Sequence, residues 1–156
     1  MDTLAMIQAM KDSIFEVLEQ MFFLPIDLVE DQKENTITGP NNQQSIHARV
    51  GFDGVPSGTF LLNIPKELAV SITADFLGTI PEKLSMEQIT GTVKEMINML
   101  AGNTLSAYDP KNPFDLHIPE LTAPPCWSHA TAIEIGIETL NNRMTLHMTA
   151  NSTSAG

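Results

Sequence analysis

The sequence is poor in cysteine, in basic residues and in long apolar runs, and each shortage excludes a class of protein. Cysteine occurs once, at Cys126, so no disulfide can form within the chain and a cytoplasmic location is expected. Lysine and arginine number 8 against 19 acidic residues, and the net charge of -11 argues against a binder of nucleic-acid phosphates. No apolar run approaches the roughly 18 residues of a membrane span, and neither a membrane span nor a signal peptide is expected.

What remains is the composition of a globular protein with an acidic surface. The chain has 156 residues, of which 42% are hydrophobic and 17% charged, which suffices for one domain with a sizeable core. We expect a single domain over 1–150 and a small polar tail over 151–156. The acidic surface can meet a basic patch on a protein partner.

Hydrophobic periodicity predicts helices and hairpins in an order that repeats. Glu16-Val-Leu-Glu19-Gln-Met lines up with Glu95-Met-Ile-Asn98-Met-Leu, and each segment lies in a helix that precedes a hairpin. We therefore predict an α/β (α+β) fold of two related halves, with long helices on a largely antiparallel sheet. The predicted elements are a helix over 2–24, strands 46–52 and 59–64, a helix from 65 to 77 stopped by Gly78, a helix over 85–108, a proline-bearing loop through 110–125, and strands 133–137 and 144–148 about an Asn141-Asn142 turn.

The third helix is divided along its length into an apolar and a polar face. At about 100° per residue its core stripe falls opposite Gly91, Glu95, Asn98 and Gly102. A glycine in an exposed helix costs about 1 kcal/mol relative to alanine, so two glycines bracketing Glu95 and Asn98 suggest that another group approaches this face closely. The alternative is an ordinary solvated face.

An Asn–Glu pair of this kind suits positioning rather than proton transfer. The amide of Asn98 offers a donor and an acceptor that do not titrate, which suits holding a water in line with a phosphorus atom. Glu95 could accept a hydrogen bond from a cation on a partner. The sequence has no P-loop, no Ser-His-Asp set and no metal cage, so the other parts of a hydrolytic site would come from the substrate protein.

The segment Glu95-Met-Ile-Asn98-Met-Leu-Ala-Gly102-Asn103 resembles the Glu-x-x-Asn…Gly-Asn signature of the CheC/CheX/FliY chemotaxis phosphatases, and Pro119 fits their later proline. The resemblance implies a phosphatase that hydrolyses the aspartyl phosphate of a CheY-like receiver domain. Asn98 would orient the attacking water and Glu95 would pair with the receiver's lysine. The chain would need no cofactor of its own, because the receiver would supply Mg²⁺.

Two departures from the family pattern refine this implication. Gly91 stands where the family often has Asp or Ser, and Glu19 stands in the first half where a second site would need Asn. One site per chain resembles CheX rather than CheC, and the resemblance implies a homodimer formed through the sheets. Gly91, Thr92, Met99 and Gly102 flank the pair and are predicted to contact the receiver.

Other residues favour ordinary structural roles. The histidines at 47, 117, 129 and 147 show no ligand spacing, and no metal site is predicted. Phe22-Phe23 is expected in the core, with a dimer contact as the alternative, and Cys126-Trp127 is expected to be structural. Two further functions remain open at this point: a non-catalytic receiver-binding or flagellar-switch-like module, and a stand-alone enzyme for a small molecule.

Overall fold

The computed structural model describes residues 1–29, 44–124 and 132–151, and these ranges form three α-helices on one antiparallel sheet. The α+β fold predicted from the sequence is therefore confirmed. The turn predicted at 39–42, Cys126-Trp127, His129 and the tail beyond Asn151 lie outside the described residues. The helices are α1 Thr3–Ile14, a π-helical segment Phe15–Met21, α2 Lys66–Leu77, a 3₁₀ turn Pro81–Lys83 and α3 Met86–Tyr108; the strands are β1 Asp27–Val29, β2 Ser45–Asp53, β3 Gly58–Pro65, β4 Asp115–Leu116, β5 Glu120–Leu121, β6 Ala132–Thr139 and β7 Asn142–Ala150.

The sheet shows the two-half organisation in its strand order. The order is β1-β6-β7-β3-β2-β4, with β5 also paired to β2, and every pairing is antiparallel. The hairpin of the first half (β2–β3) joins the hairpin of the second half (β6–β7) through the pairing of β3 with β7. The edge strand β1 of the first half pairs with β6, while β4 and β5 of the second half pair with β2, so each half contributes an edge strand to the other.

The core lies between the helices and one face of this sheet. Alternation in the strands buries every second side chain, such as Ala48, Val50 and Phe52 of β2 and Phe60, Leu62 and Ile64 of β3. In α3 the predicted core stripe is confirmed: Ile89, Val93, Met96, Ile97 and Leu100 are all buried.

Several boundaries differ from the sequence prediction for physical reasons. The first helix ends at Met21 rather than residue 24, and its second part is wound as a π-helix. The last hairpin turns at Leu140-Asn141, both with positive φ, because Thr139 and Asn142 already pair across the strands. Phe22 is buried as predicted, but Phe23 is 83% exposed, because it lies at the left-handed residue that follows the helix and points outward.

Candidate active site

The candidate site lies on α3, which is built as a rigid platform. Its first turn is closed by the predicted capping box: the Gln88 N–H donates to Ser85 Oγ (3.1 Å), and the Ser85 N–H donates to Gln88 Oε1 (2.9 Å). From there the helix runs 23 residues to Tyr108 without a break. A long helix with a capped start and a buried stripe holds the side chains of its outer face in fixed relative positions.

α1 runs antiparallel beside α3 and fixes it at two points. The backbone N–H of Asp2 donates to the Tyr108 hydroxyl (3.0 Å), and the buried Ser13 hydroxyl donates to the Leu100 carbonyl (2.8 Å). These contacts tie the start of α1 to the end of α3, and the end of α1 to its middle. The first half of the molecule therefore holds α3 in place, and its outer face remains uncovered at Gly91 and Glu95.

The outer face of α3 brings together the predicted site residues. Glu95 is exposed and Asn98 is half-buried, one turn apart on the same side of the helix. A Cβ added at Gly91 would meet no atom within 4 Å, so the face is open at this end. Within the described ranges, neither Glu95 nor Asn98 makes a side-chain hydrogen bond or ion pair. Their carboxylate and amide groups are thus available to an incoming partner.

The residues predicted to flank Glu95 and Asn98 differ in how far they are exposed. Met99 is half-buried and packs against the core, while Gly102 lies one turn beyond Asn98 with a Cβ position 3.6 Å from the Leu116 side chain. Thr92 is only 6% exposed, so it offers little side-chain surface for the partner contact that the sequence suggested. The pattern missed this burial because Thr92 lies at the border between the two faces of the helix.

The corresponding segment of the first half has a different backbone. Residues Phe15–Met21 form a π-helix, and beyond its end the Phe22 N–H donates to the carbonyl of Val17, five residues back (3.1 Å). More residues per turn mean that residues three apart no longer lie one above the other. Glu16 and Glu19 are both exposed, but they do not reproduce the arrangement of Glu95 and Asn98.

Sequence reasoning missed a segment beside α3, residues 115–121, which we call the strap. It contains β4 and β5, each of two residues, both paired with β2. The side chain of Leu116, in the strap, lies 3.6 Å from the position that a Cβ would take at Gly102, so the segment borders the site face. Strands this short leave little periodicity to read, although Phe114-Asp-Leu-His does alternate.

The described histidines lie in strands β2 and β7 of the sheet and, for His117, in the strap. His47 and His147 are in β2 and β7 as predicted, and burial lowers the pKa of both. The carboxylate of Glu134 opposes this shift at His147, and His47 adds to it. Among the described residues no three His, Cys, Asp or Glu side chains gather as a metal ion would require. No helix in the described ranges has the length and hydropathy to cross a membrane.

Comparison with known proteins identifies the family to which this chain belongs. A model of the chemotaxis phosphatase CheX family matches residues 46–125, which include all but the first residue of β2 and the whole of β3, α2 and α3. The match spans just over half of the chain, so the protein belongs to the CheX chemotaxis phosphatase family. No protein of curated function has a significantly similar sequence.

Solved structures share the fold along nearly the whole chain. A CheC-like protein from Shewanella sp. PV-4 is 18% identical with a TM-score of 0.76, covering 95% of this chain and 98% of its own. CheX from Borrelia burgdorferi, in a complex with CheY, BeF3 and Mg²⁺, is 15% identical with a TM-score of 0.77, covering 94% and 97%. CheX from Vibrio vulnificus is 18% identical with a TM-score of 0.71, covering 94% and 96%.

Proposed function

We propose that this protein hydrolyses the aspartyl phosphate of a CheY-like response-regulator receiver domain, with Asn98 and Glu95 as its catalytic residues. The observation that carries the proposal is the pairing of a half-buried amide and an exposed carboxylate, both without partners among the described residues, on the outer face of one rigid helix. Membership of the CheX family and the Borrelia burgdorferi complex with CheY support it.

In the proposed reaction, this chain positions the attacking water and takes part in no proton transfer. The Asn98 amide accepts from and donates to a water that attacks the phosphorus atom, in line with the bond to the aspartyl oxygen. That phosphorus–oxygen bond breaks, which leaves the receiver's aspartate as a carboxylate and releases inorganic phosphate. Since an amide does not titrate, Asn98 orients the water without acting as its base.

Glu95 has a different part in the proposal. Its carboxylate pairs with the lysine of the receiver's phosphorylation site and so fixes α3 against the receiver. The open space at Gly91 leaves room for the receiver's backbone to come close to the helix. The receiver supplies Mg²⁺ to neutralise the developing charge on the phosphoryl group.

The test is the decay of a purified phosphorylated CheY-like receiver from the same organism, measured as phosphate release. We expect the wild-type protein to accelerate the decay and the Asn98→Ala variant to bind the receiver without accelerating it. A wild type that binds the receiver and leaves its decay unchanged would instead identify the alternative, a non-catalytic receiver-binding module related to flagellar switch proteins.

We further propose that the protein is a cytoplasmic homodimer joined through its sheets. The face of the sheet opposite the helices carries His47, Asn63, Arg143 and His147, and no described helix covers it. Asn63 Oδ1 and Arg143 Nε are already buried within one chain, so a second subunit would instead cover the half-exposed remainder of the side chains of His47, Asn63 and Arg143. Light scattering of the purified protein would give the mass of the particle, and a monomer at micromolar concentration would contradict the proposal.

A further inference from the structure

The strap presents apolar side chains beside the polar site. Leu116 and Leu121 pair with Phe52 and Ala48, which both face the core side of the sheet, so the strap's leucines lie on the side where α3 packs. Leu121 is 44% exposed although it lies in a strand, and Ile118, between the two short strands, is 84% exposed. These three residues, Leu116, Ile118 and Leu121, form what we call the ledge.

The course of the chain places the ledge along the site face. The chain leaves α3 at Tyr108 and turns back along the helix. Leu116 then lies beside Gly102, which is six residues before the end of α3. Leu121 lies five residues after Leu116, and five residues of extended chain span about 16 Å. At Leu121 the strap is still in contact with α3, since β5 packs against this helix. Only about 9 Å of helix remains beyond Gly102, so the strap runs back towards Asn98 and Glu95.

The strap is fixed from its other side, which keeps the ledge in place. Arg49 holds Glu120 with two of its guanidinium nitrogens, at 3.0 and 2.8 Å. His117 Nε2 lies 2.9 Å from Asp53 Oδ2, and its ring covers Gly51, where a Cβ would come within 2.6 Å of Nδ1. A backbone held in this way is placed before a partner arrives, which lowers the entropic cost of binding.

We propose that the ledge is a second contact surface for the receiver, which determines affinity while Asn98 determines turnover. The inference rests on the proposed function, since it takes the receiver as the occupant. The ledge adjoins the site face at Gly102, where a Cβ would lie 3.6 Å from the Leu116 side chain. A protein interface buries roughly 800 Å² on each partner, so a receiver seated on Glu95 and Asn98 reaches about 15 Å further and covers the strap. Apolar residues beside a polar site supply the dry centre that such interfaces need.

The test separates binding from catalysis by using a receiver loaded with beryllofluoride and Mg²⁺ as the probe. Ile118→Ser combined with Leu121→Ser removes the apolar surface and leaves the net charge unchanged. We expect this double variant to bind the probe about tenfold more weakly than wild type and, with the phosphorylated receiver, to show a raised KM and an unchanged kcat. Ile118→Ser alone, at a position already exposed to water, controls for any loss of folding and should give part of the same effect.

Leu140→Ser is the matched control, because Leu140 is 46% exposed and lies in the distant β6–β7 turn. Its affinity should remain within twofold of wild type. A double variant that binds like wild type, or a wild type that does not bind the probe, would overturn the inference. A wild type that binds the probe but does not accelerate phosphate loss would refute the proposed hydrolysis, while the affinities would still decide the role of the ledge.

Discussion

The two halves of this molecule share a topology and differ in the winding of one helical segment. α3 places Glu95 and Asn98 on a continuous α-helix, whereas the matching segment of the first half, Phe15–Met21, is a π-helix carrying Glu16 and Glu19. The first half therefore differs from the site on α3 in two ways. Residue 19 is a carboxylate and not an amide, and the helix that carries it has a different winding. A carboxylate there repels a phosphoryl group and donates no hydrogen bond.

The contrast also assigns the halves different tasks. The first half supports α3 through the Ser13 and Tyr108 hydrogen bonds, and its strand β2 carries the strap. The second half supplies the proposed catalytic residues and the ledge. Each half contributes strands to the same sheet, so neither half forms the sheet alone. One half can therefore serve as the structural support of the other.

The largest difference between the halves should appear on neutralising matched carboxylates. Glu95→Gln removes the charge that is proposed to pair with the receiver's lysine, and we expect the KM for phosphorylated receiver to rise about tenfold. Glu16→Gln is the control from the first half, because Glu16 is an exposed glutamate like Glu95. This variant should leave KM within twofold of wild type. Steady-state phosphate release measures both, and equal effects would mean that the two helices contact the receiver alike.

Gly91→Ala tests whether openness of the site face is maintained at a cost in stability. The added methyl group meets no atom, so the free energy of unfolding should rise by about 0.5–1 kcal/mol, the helix preference of alanine over glycine. Thermal denaturation should show a gain of roughly 2 °C. A loss of stability would mean that the glycine has a packing role in the free protein, and a loss of receiver turnover at higher stability would show that the space serves docking.

The free energy of unfolding should depend on pH through His147, which lies in β7, the strand that joins the second half to β3 of the first. Burial lowers its pKa in the folded protein below the usual 6.5, so the unfolded chain binds the proton more readily. Folding stability is then fully present above about pH 6.5 and falls as the pH drops from there through the lowered folded pKa. Denaturant unfolding at pH 7.5 and 5.5 should show a smaller loss for His147→Gln than for wild type, and an equal loss would assign the pH dependence to other groups.

The smallest effect is expected from giving the first half its missing amide. Glu19→Asn in an Asn98→Ala background should restore less than twofold activity, because the π winding does not bring residues 16 and 19 into the arrangement of the pair on α3. Recovery of substantial phosphate release by this variant would show that residue type alone separates the halves.

The sequence predicts the site helix better than its surroundings, and the reasons are local. α3 is marked by its capping box and by a buried stripe that repeats over several turns, so both its bounds and its outer face follow from the pattern. The π winding was not predictable, because Ile14, Val17, Leu18 and Met21 keep a helical spacing under either winding. β1, β4 and β5 have two or three residues each, and their pairing with β6 and β2 depends on tertiary contacts that single-sequence patterns do not contain.

The central claim is that the protein acts through the amide of Asn98 on α3 and not through the first half. The most direct measurement is single-turnover loss of phosphate from a phosphorylated CheY-like receiver with wild type, Asn98→Ala and Glu19→Ala, each at saturating concentration and with its melting temperature recorded. The account predicts a rate about 100-fold lower for Asn98→Ala, an unchanged rate for Glu19→Ala, and nearly equal melting temperatures. An Asn98→Ala variant that is folded and as fast as wild type would contradict it.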